Sequence, residues 1–419
     1  MGSLLSGIPG PAEQRIGLRV TPAAERAIRG GHPWVFERAV RQQSRDGRAG
    51  DLAVIFDRRR SFLAVGLYDP HAPIRVRVLQ HGEPAAINQG WFQARMAAAA
   101  RLRAPLGKAT GDTTGYRLVH GENDGLPGLV VDCYDRTLVL KLYTPAWIPH
   151  LRDVLPALAD VVLVECLVLR LGRAMQEQPQ SLYGLSDGAI LVGPPLGGPV
   201  VFRENGLRFE VDPVHGQKTG FFLDQRENRA RVRGLASGAA VLDVFSYTGG
   251  FSLYAAGGGA RSVVSVDVSR PALEAALRNF ERNQDDPSVA RVVRDRAHEV
   301  LAEDAFEALA RLGRDRRSFD LVIVDPPAFA KKRAEVEGAL SAYGRLTHLA
   351  LGVLRPGGIL VQASCSSRVD AETFFTAVHR AAAAVGRPLR EIERTGHPID
   401  HPIGFKEGAY LKCLFATAP

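Results

Sequence analysis

Cysteine is scarce in this 419-residue chain: Cys133, Cys166, Cys365 and Cys413 are widely scattered, with no CxxC pair and no histidines at zinc spacing. A disulfide framework and a structural metal are therefore not expected. The amino terminus lacks a charged stretch followed by an apolar one, and no run elsewhere is long and apolar enough to span a bilayer, so the expected location is cytoplasmic with no membrane role. MGSLLS matches the myristoylation pattern at Gly2 and Ser6, but so short a match carries little weight. Acidic residues are outnumbered, 45 against 53 basic ones, and the formal charge is +8. Such an excess suits a polyanionic partner. It is nearly all arginine, which suits RNA through phosphate forks and base stacking, although a GC-rich genome would encode the same bias.

The length suggests two or three domains. Residues 16–80 hold short apolar runs, DLAVIFD and FLAVGLYD, cut by Gly, Pro and Arg clusters, as in a small β-rich barrel. Residues 81–192 open with the helical stretch WFQARMAAAARLRAPL and continue through GLVVDCYD, TLVLKLY and VVLVECLVLR, an α+β pattern. The Gly/Pro punctuation GPPLGGP marks a boundary. Over residues 200–419, AAVLDVF, SVVSVDV, ARVVRD, FDLVIVD and GGILVQAS read as strands. Helical stretches alternate with them, including SRPALEAALRNFERN and HEVLAEDAFEALARL, and the chain closes on two strands, PLREIERT and AYLKCLFATA. Repeated βα units predict a mostly parallel sheet with an antiparallel pair at its edge.

Ligands of such sheets sit outside the carboxyl ends of the strands. DLVIVDPPAFAKKR and LVQASCSSRVD therefore bring Asp325, Pro326, Pro327, Phe329 and Cys365 toward one pocket, with Lys331 and Lys332 beside it. A carboxylate can bind the amino edge of a heterocycle, an aromatic can stack on it and a thiolate can attack it. VLDVFSYTGGFSLYAA places Asp243 at a strand end and Gly249 and Gly250 at a helix start, without the GxGxxG of a dinucleotide site. Asp267 stands where an acid receives ribose hydroxyls, and Asp295, read as the end of the third strand, where one accepts from an adenine amino group. Taken singly, each has an ordinary explanation: a tight turn, a helix cap for Asp267, a solvated loop acid for Asp295, a small buried hydrophobe for Cys365. Together, in successive βα loops, they resemble the S-adenosylmethionine site of class I methyltransferases.

The chain resembles the bacterial large-subunit ribosomal RNA methyltransferases that make 5-methylcytosine. GHPWVFERAV, with His32 and Trp34, is similar to the opening of their PUA domain, YRLVHGENDGLPGLVVDCYD to the start of their central domain, and GQKTGFFLDQRENR to the segment before their cofactor loop. The resemblance implies a multidomain α/β protein: a PUA-like RNA-binding barrel, an α+β central domain and a C-terminal class I methyltransferase with a Rossmann-like seven-stranded sheet. It implies S-adenosylmethionine as cofactor and large-subunit ribosomal RNA as partner, and it admits a homodimer. Asp243, Tyr247, Gly249 and Gly250 would border the methionine moiety, Asp267 the ribose and Asp295 the adenine. Lys218, Asp224 and Arg226 would close the pocket from upstream, and His32 and Trp34 would contact RNA or serve the barrel core. Asp325 would face cofactor and base, and Cys365 would be the nucleophile.

In better-known cytosine enzymes a second cysteine follows the proline of the DPP-type loop; here that position is Pro327. The group that removes the C5 proton is left open, with His401 and Glu407 as candidates. Two rivals remain at this point: methylation of a ring or exocyclic nitrogen without covalent attack, and a non-catalytic RNA-binding assembly factor.

Overall fold

Short strands with one buried face open the chain. β1 (Ile16–Val20), β2 (Trp34–Phe36), β3 (Val40–Gln43), β4 (Leu52–Phe56), β5 (Phe62–Tyr68) and β6 (Ile74–His81) form a sheet of order β2-β6-β5-β4-β1-β3. Every pairing is antiparallel except β1 with β4. The helix Pro22–Arg29 leaves β1 with Pro22 in its first turn and Thr21 as cap, whose hydroxyl accepts the Ala24 N–H at 3.3 Å. The computed structural model describes residues 5–108, 112–177, 179–216 and 219–419.

Helix Gln89–Lys108 buries Phe92, Met96 and Ala99, the spacing of one helical face. It is followed by β7 (Gly115–His120), β8 (Leu129–Tyr134), β9 (Thr137–Leu142), β10 (Cys166–Leu171) and β11 (Ile190–Val192), in the order β11-β10-β9-β8-β7. In VVLVECLVLR only the second half is strand, and Leu163 in the first half is 66% exposed. One core joins Leu52, Val65, Leu67 and Leu79 of the first sheet to Phe92, Met96, Val131, Leu140 and Trp147. Residues 1–203, 211–223 and 399–405 accordingly make one compact unit, and the remainder makes a second.

Segment Ile399–Phe405 is tied into the first unit by polar contacts that no periodicity announces. The Arg117 amide donates to Asp400 Oδ2 at 3.0 Å, Arg103 to the Asp400 carbonyl at 2.9 Å, and the Gly404 amide to Asn123 Oδ1 at 2.7 Å. β12 (Val200–Glu204) and β13 (Leu207–Val211) form a two-stranded ribbon through Asn205 and Gly206, both at positive φ, the Asn-Gly turn that suits a hairpin.

The second unit is built on β14 (Ala240–Val244), β15 (Ser262–Val266), β16 (His298–Leu301), β17 (Phe319–Val324), β18 (Leu354–Ser364), β19 (Arg390–Thr395) and β20 (Lys412–Thr417). Their order is β16-β15-β14-β17-β18-β20-β19. β14 to β18 pair in parallel, while β20 is antiparallel to both β18 and β19. β14 is buried throughout, as a strand covered on both faces must be.

One expectation is corrected. ARVVRD is not the third strand: it lies in helix Pro287–Arg294, whose cap Asp286 accepts from the amides of Ser288 and Val289 and whose Val289 and Val292 are buried three residues apart. The third strand is HEVL, expected as helix; the helix after it starts at Ala305, capped by Asp304. Among the described residues no helix is long and apolar enough to cross a membrane.

Candidate active site

Because β14 to β18 run parallel, the loops after Val244, Val266, Leu301, Val324 and Ser364 leave the sheet at the same edge. Asp243 is 1% exposed, and its Oδ2 accepts the Ser252 hydroxyl at 2.7 Å and amide at 3.0 Å. Its Oδ1 is buried without a hydrogen-bond partner, as are Ser246 Oγ and Thr248 Oγ1 in the same loop. Burial pushes the Asp243 carboxyl up to about 7; Ser252 opposes this, and the neighbouring Asp267 charge adds to it.

The loop itself is strained. Phe245 and Tyr247 hold φ of 65° and 49°, which non-glycine residues seldom adopt. Gly249, at φ 77°, has no room for a side chain: a Cβ there would stand 2.8 Å from Ala276 Cβ. Gly250 then opens helix Gly250–Gly257. Asp267 joins two loops, its Oδ2 accepting the Tyr247 amide at 2.9 Å and its Oδ1 the Ser269 amide at 2.8 Å. Three buried polar atoms without partners beside a close-approach glycine fit a polar ligand whose donors and acceptors complete them.

Asp295 is not part of this edge. It caps the end of helix Pro287–Arg294, exposed, with its carboxylate 3.1 Å from Arg294 Nε. The residues that follow the true third strand are Ala302–Asp304. Sequence reasoning also passed over Val268, an apolar side chain 76% exposed directly after Asp267.

The DPP loop and the cysteine turn do come together. Cys365 Sγ lies 3.8 Å from the Pro326 carbonyl, the Asp325 amide donates to Val244 O at 3.3 Å, and the Ala330 amide reaches Ser366 Oγ at 3.4 Å. Tyr343 fixes the turn from below, its hydroxyl 2.8 Å from Ser364 Oγ and 2.9 Å from Ser366 Oγ. Cys365 is partly exposed, whereas Cys133, Cys166 and Cys413 are buried. Pro326 is buried and Pro327 exposed, while the half-buried Phe329 ring packs on Tyr343 with centroids 5.2 Å apart. Lys331 and Lys332 are exposed, with both amides donating to Glu335 Oε2.

Asp224 and Arg226 lie at the entry to helix Arg226–Leu235, upstream of β14; Asp224 Oδ2 accepts the Tyr410 hydroxyl at 2.8 Å, and Arg226 Nε lies 3.3 Å from Glu227 Oε1. Lys218 lies outside the described residues. His32 and Trp34 belong to the first unit, where they meet Phe36 and Phe405 largely edge to face, Trp34 and Phe405 at 5.2 Å. The Trp34 indole donates to Glu122 Oε1 at 2.8 Å. His401 is buried in the same unit, its ring 4.9 Å from that of His120, and Glu407 sits in the exposed turn Lys406–Gly408 of the second unit.

Comparison with known proteins agrees with this architecture. Residues 117–415 match the S-adenosylmethionine-dependent methyltransferase family model, and residues 18–81 match that of a PUA-like domain. A ribosomal RNA large subunit methyltransferase of Deinococcus radiodurans is 50% identical over 410 residues, 97% of this chain and 98% of that protein. Ribosomal RNA large subunit methyltransferase I of Pseudoalteromonas translucida is 35% identical over 397 residues, 93% of this chain and 96% of its own. Among solved structures, a candidate SAM-dependent methyltransferase of Streptococcus mutans superposes with a TM-score of 0.78 at 22% identity, over 96% of this chain and 99% of that one. A candidate methyltransferase solved with S-adenosylhomocysteine gives 0.80 at 22% identity and the same coverage. The chain belongs to the S-adenosylmethionine-dependent methyltransferase family that includes the ribosomal RNA large subunit methyltransferases, with a PUA-like domain ahead of the methyltransferase region.

Proposed function

We propose that this protein methylates C5 of a cytosine in large-subunit ribosomal RNA, with Cys365 as a transient covalent nucleophile. The observation that carries the reading is the meeting of Cys365 with the DPP loop: the one partly exposed cysteine of the four lies 3.8 Å from the Pro326 carbonyl, next to Asp325. The names of the relatives support ribosomal RNA as the substrate class.

C5 of cytosine is a poor nucleophile until a thiolate adds at C6 and turns the ring into an enamine. Cys365 makes that bond, and Asp325 holds the N3/N4 edge of the base. S-adenosylmethionine supplies the electrophilic methyl group that C5 takes up. Loss of the C5 proton then expels the thiolate and restores the ring. The cofactor-holding residues are Asp243, Tyr247, Gly249 and Gly250 at the methionine end and Asp267 at the ribose, with Val268 as an apolar face for the adenine. Asp224 and Arg226 close the pocket from upstream. The aromatic cluster around His32 and Trp34, together with Lys331 and Lys332, contacts RNA.

Mass-spectrometric mapping of methylated nucleotides in large-subunit ribosomal RNA, from cells with and without this protein, tests the reading. A cytosine carrying a C5 methyl should vanish with the protein. A methyl lost from a nitrogen would replace the covalent chemistry with direct transfer.

A further inference from the structure

Lys412 has no role in the chemistry above, yet it is only 4% exposed, between Leu411 and Cys413 on β20. It pairs in register with Ser364, the residue before the proposed nucleophile. Its Nζ donates to the carbonyls of Ser366 at 2.5 Å, Val369 at 2.7 Å and Tyr410 at 3.0 Å. Three acceptors match the three protons of an ammonium, whereas a neutral amine has two to give. Two of those carbonyls belong to the turn that carries Cys365. Burying a cation is costly unless it is well hydrogen-bonded, and here three carbonyls meet it.

We propose that Lys412 is the positioning residue for Cys365: its ammonium clamps the Cys365–Val369 turn through two carbonyls and, by its charge, favours the thiolate over the thiol. This rests on the reading of Cys365 as nucleophile. Interaction between the two groups is reciprocal. Burial pushes the Lys412 ammonium down to about 8, and the Cys365 and Asp370 charges pull it back up, so the ammonium and the thiol side chain lie within reach of each other's charge. Acidic groups flank the turn, and the exposed Lys331 and Lys332 lie farther along the DPP loop. Burial pushes the Tyr343 hydroxyl up and keeps it neutral, Asp325 stands on the adjoining loop, and the buried Cys413 thiol is held well above its usual range. Asp370 acts on Lys412 from the far end of the turn. A cation under this turn offsets that acidic surround.

The test is the rate of Cys365 alkylation by iodoacetamide as a function of pH, on the full chain without RNA, since the thiolate is the reacting form. The three buried cysteines give little background, and Cys365→Ala supplies the blank. Replacing the charge, in Lys412→Met or in Lys412→Gln, which keeps a donor, should move the midpoint of the profile up by about one pH unit and slow alkylation at pH 7 roughly tenfold. Lys412→Arg keeps the charge and should leave the midpoint near that of wild type. An unchanged midpoint in either folded neutral variant, or an equal shift in the arginine variant, would overturn the proposal. Because this readout involves no methyl transfer, its outcome is independent of whether Cys365→Ala still methylates RNA, which tests the nucleophile reading alone.

Discussion

The buried carboxyl of Asp243 should make cofactor affinity depend on pH. Its pKa of about 7 is set chiefly by burial, with Arg229 and the Ser252 donors working against it. In the proposed site Asp243 Oδ1 would receive the ammonium of the methionine moiety, and a carboxyl must be ionised to bind it well. Protonation competes below pH 7, so the Kd for S-adenosylhomocysteine should weaken roughly eightfold from pH 7.5 to pH 6. Asp243→Asn should bind more weakly at pH 7.5 and show no such dependence. The same shift acts on stability with a definite sign. The folded pKa lies above the ordinary 3.8, so the carboxyl favours folding at acid pH and loses that contribution as pH rises through about 7. Held ionised at pH 8 without cofactor, it costs up to about 4 kcal/mol. Asparagine can still accept from Ser252 and carries no charge, so the cofactor-free variant should melt several degrees above wild type at pH 8, and the gap should shrink by about a third at pH 6 and close only toward pH 4. Calorimetric titration and thermal melts read both effects. A wild-type Kd flat between pH 6 and pH 7.5, or no gain in melting temperature for the variant at pH 8, would refute the reasoning.

Asp267 accepts two backbone amides from adjoining loops and is assigned to the ribose. Asp267→Ala should therefore weaken cofactor binding by about 2–3 kcal/mol, the scale of lost charge-assisted hydrogen bonds; calorimetry showing unchanged affinity in the folded variant would remove the assignment. RNA affinity should fall steeply with salt, since phosphate neutralisation releases counterions. The first sheet shares a core with the helix Gln89–Lys108 and the second sheet, so deleting residues 1–80 would expose that core and confound the binding test. Charge reversal at the exposed Arg38 and Arg41 is the cleaner perturbation and should reduce both RNA affinity and its salt slope while leaving cofactor affinity unchanged; filter binding over a salt series decides it.

The parts of the fold legible in the sequence were those whose burial is two-sided. AVLDV and FDLVIV are near-continuous apolar runs, and the acids at or just past their carboxyl ends, Asp243 and Asp325, mark the edge where the cofactor and base are proposed to bind. The third strand was not legible because β16 is the edge strand of its sheet and none of its four residues is fully buried, so HEVL carries almost no apolar signal. Val292 and Val293 in ARVVRD imitated a strand, although Asp286 and Pro287 already spelled a helix start. The error carried Asp295 with it. Segment Ile399–Phe405 was opaque for another reason: its attachment depends on Arg103, Arg117 and Asn123, nearly three hundred residues away. Lys412 stayed hidden as well, since three backbone carbonyls leave no trace in a sequence.

The central claim is the covalent step at Cys365, and trapping it tests that claim most directly. RNA carrying 5-fluorocytosine at the target position cannot lose its C5 substituent as a proton, so the thiolate adduct cannot resolve after methyl transfer. Incubated with S-adenosylmethionine, the wild-type protein should form a denaturation-resistant complex whose RNA adduct maps by mass spectrometry to Cys365, and Cys365→Ala should form none and should methylate no cytosine while still binding cofactor. Methylation by the Cys365→Ala protein, or an adduct at any other residue, would contradict the account.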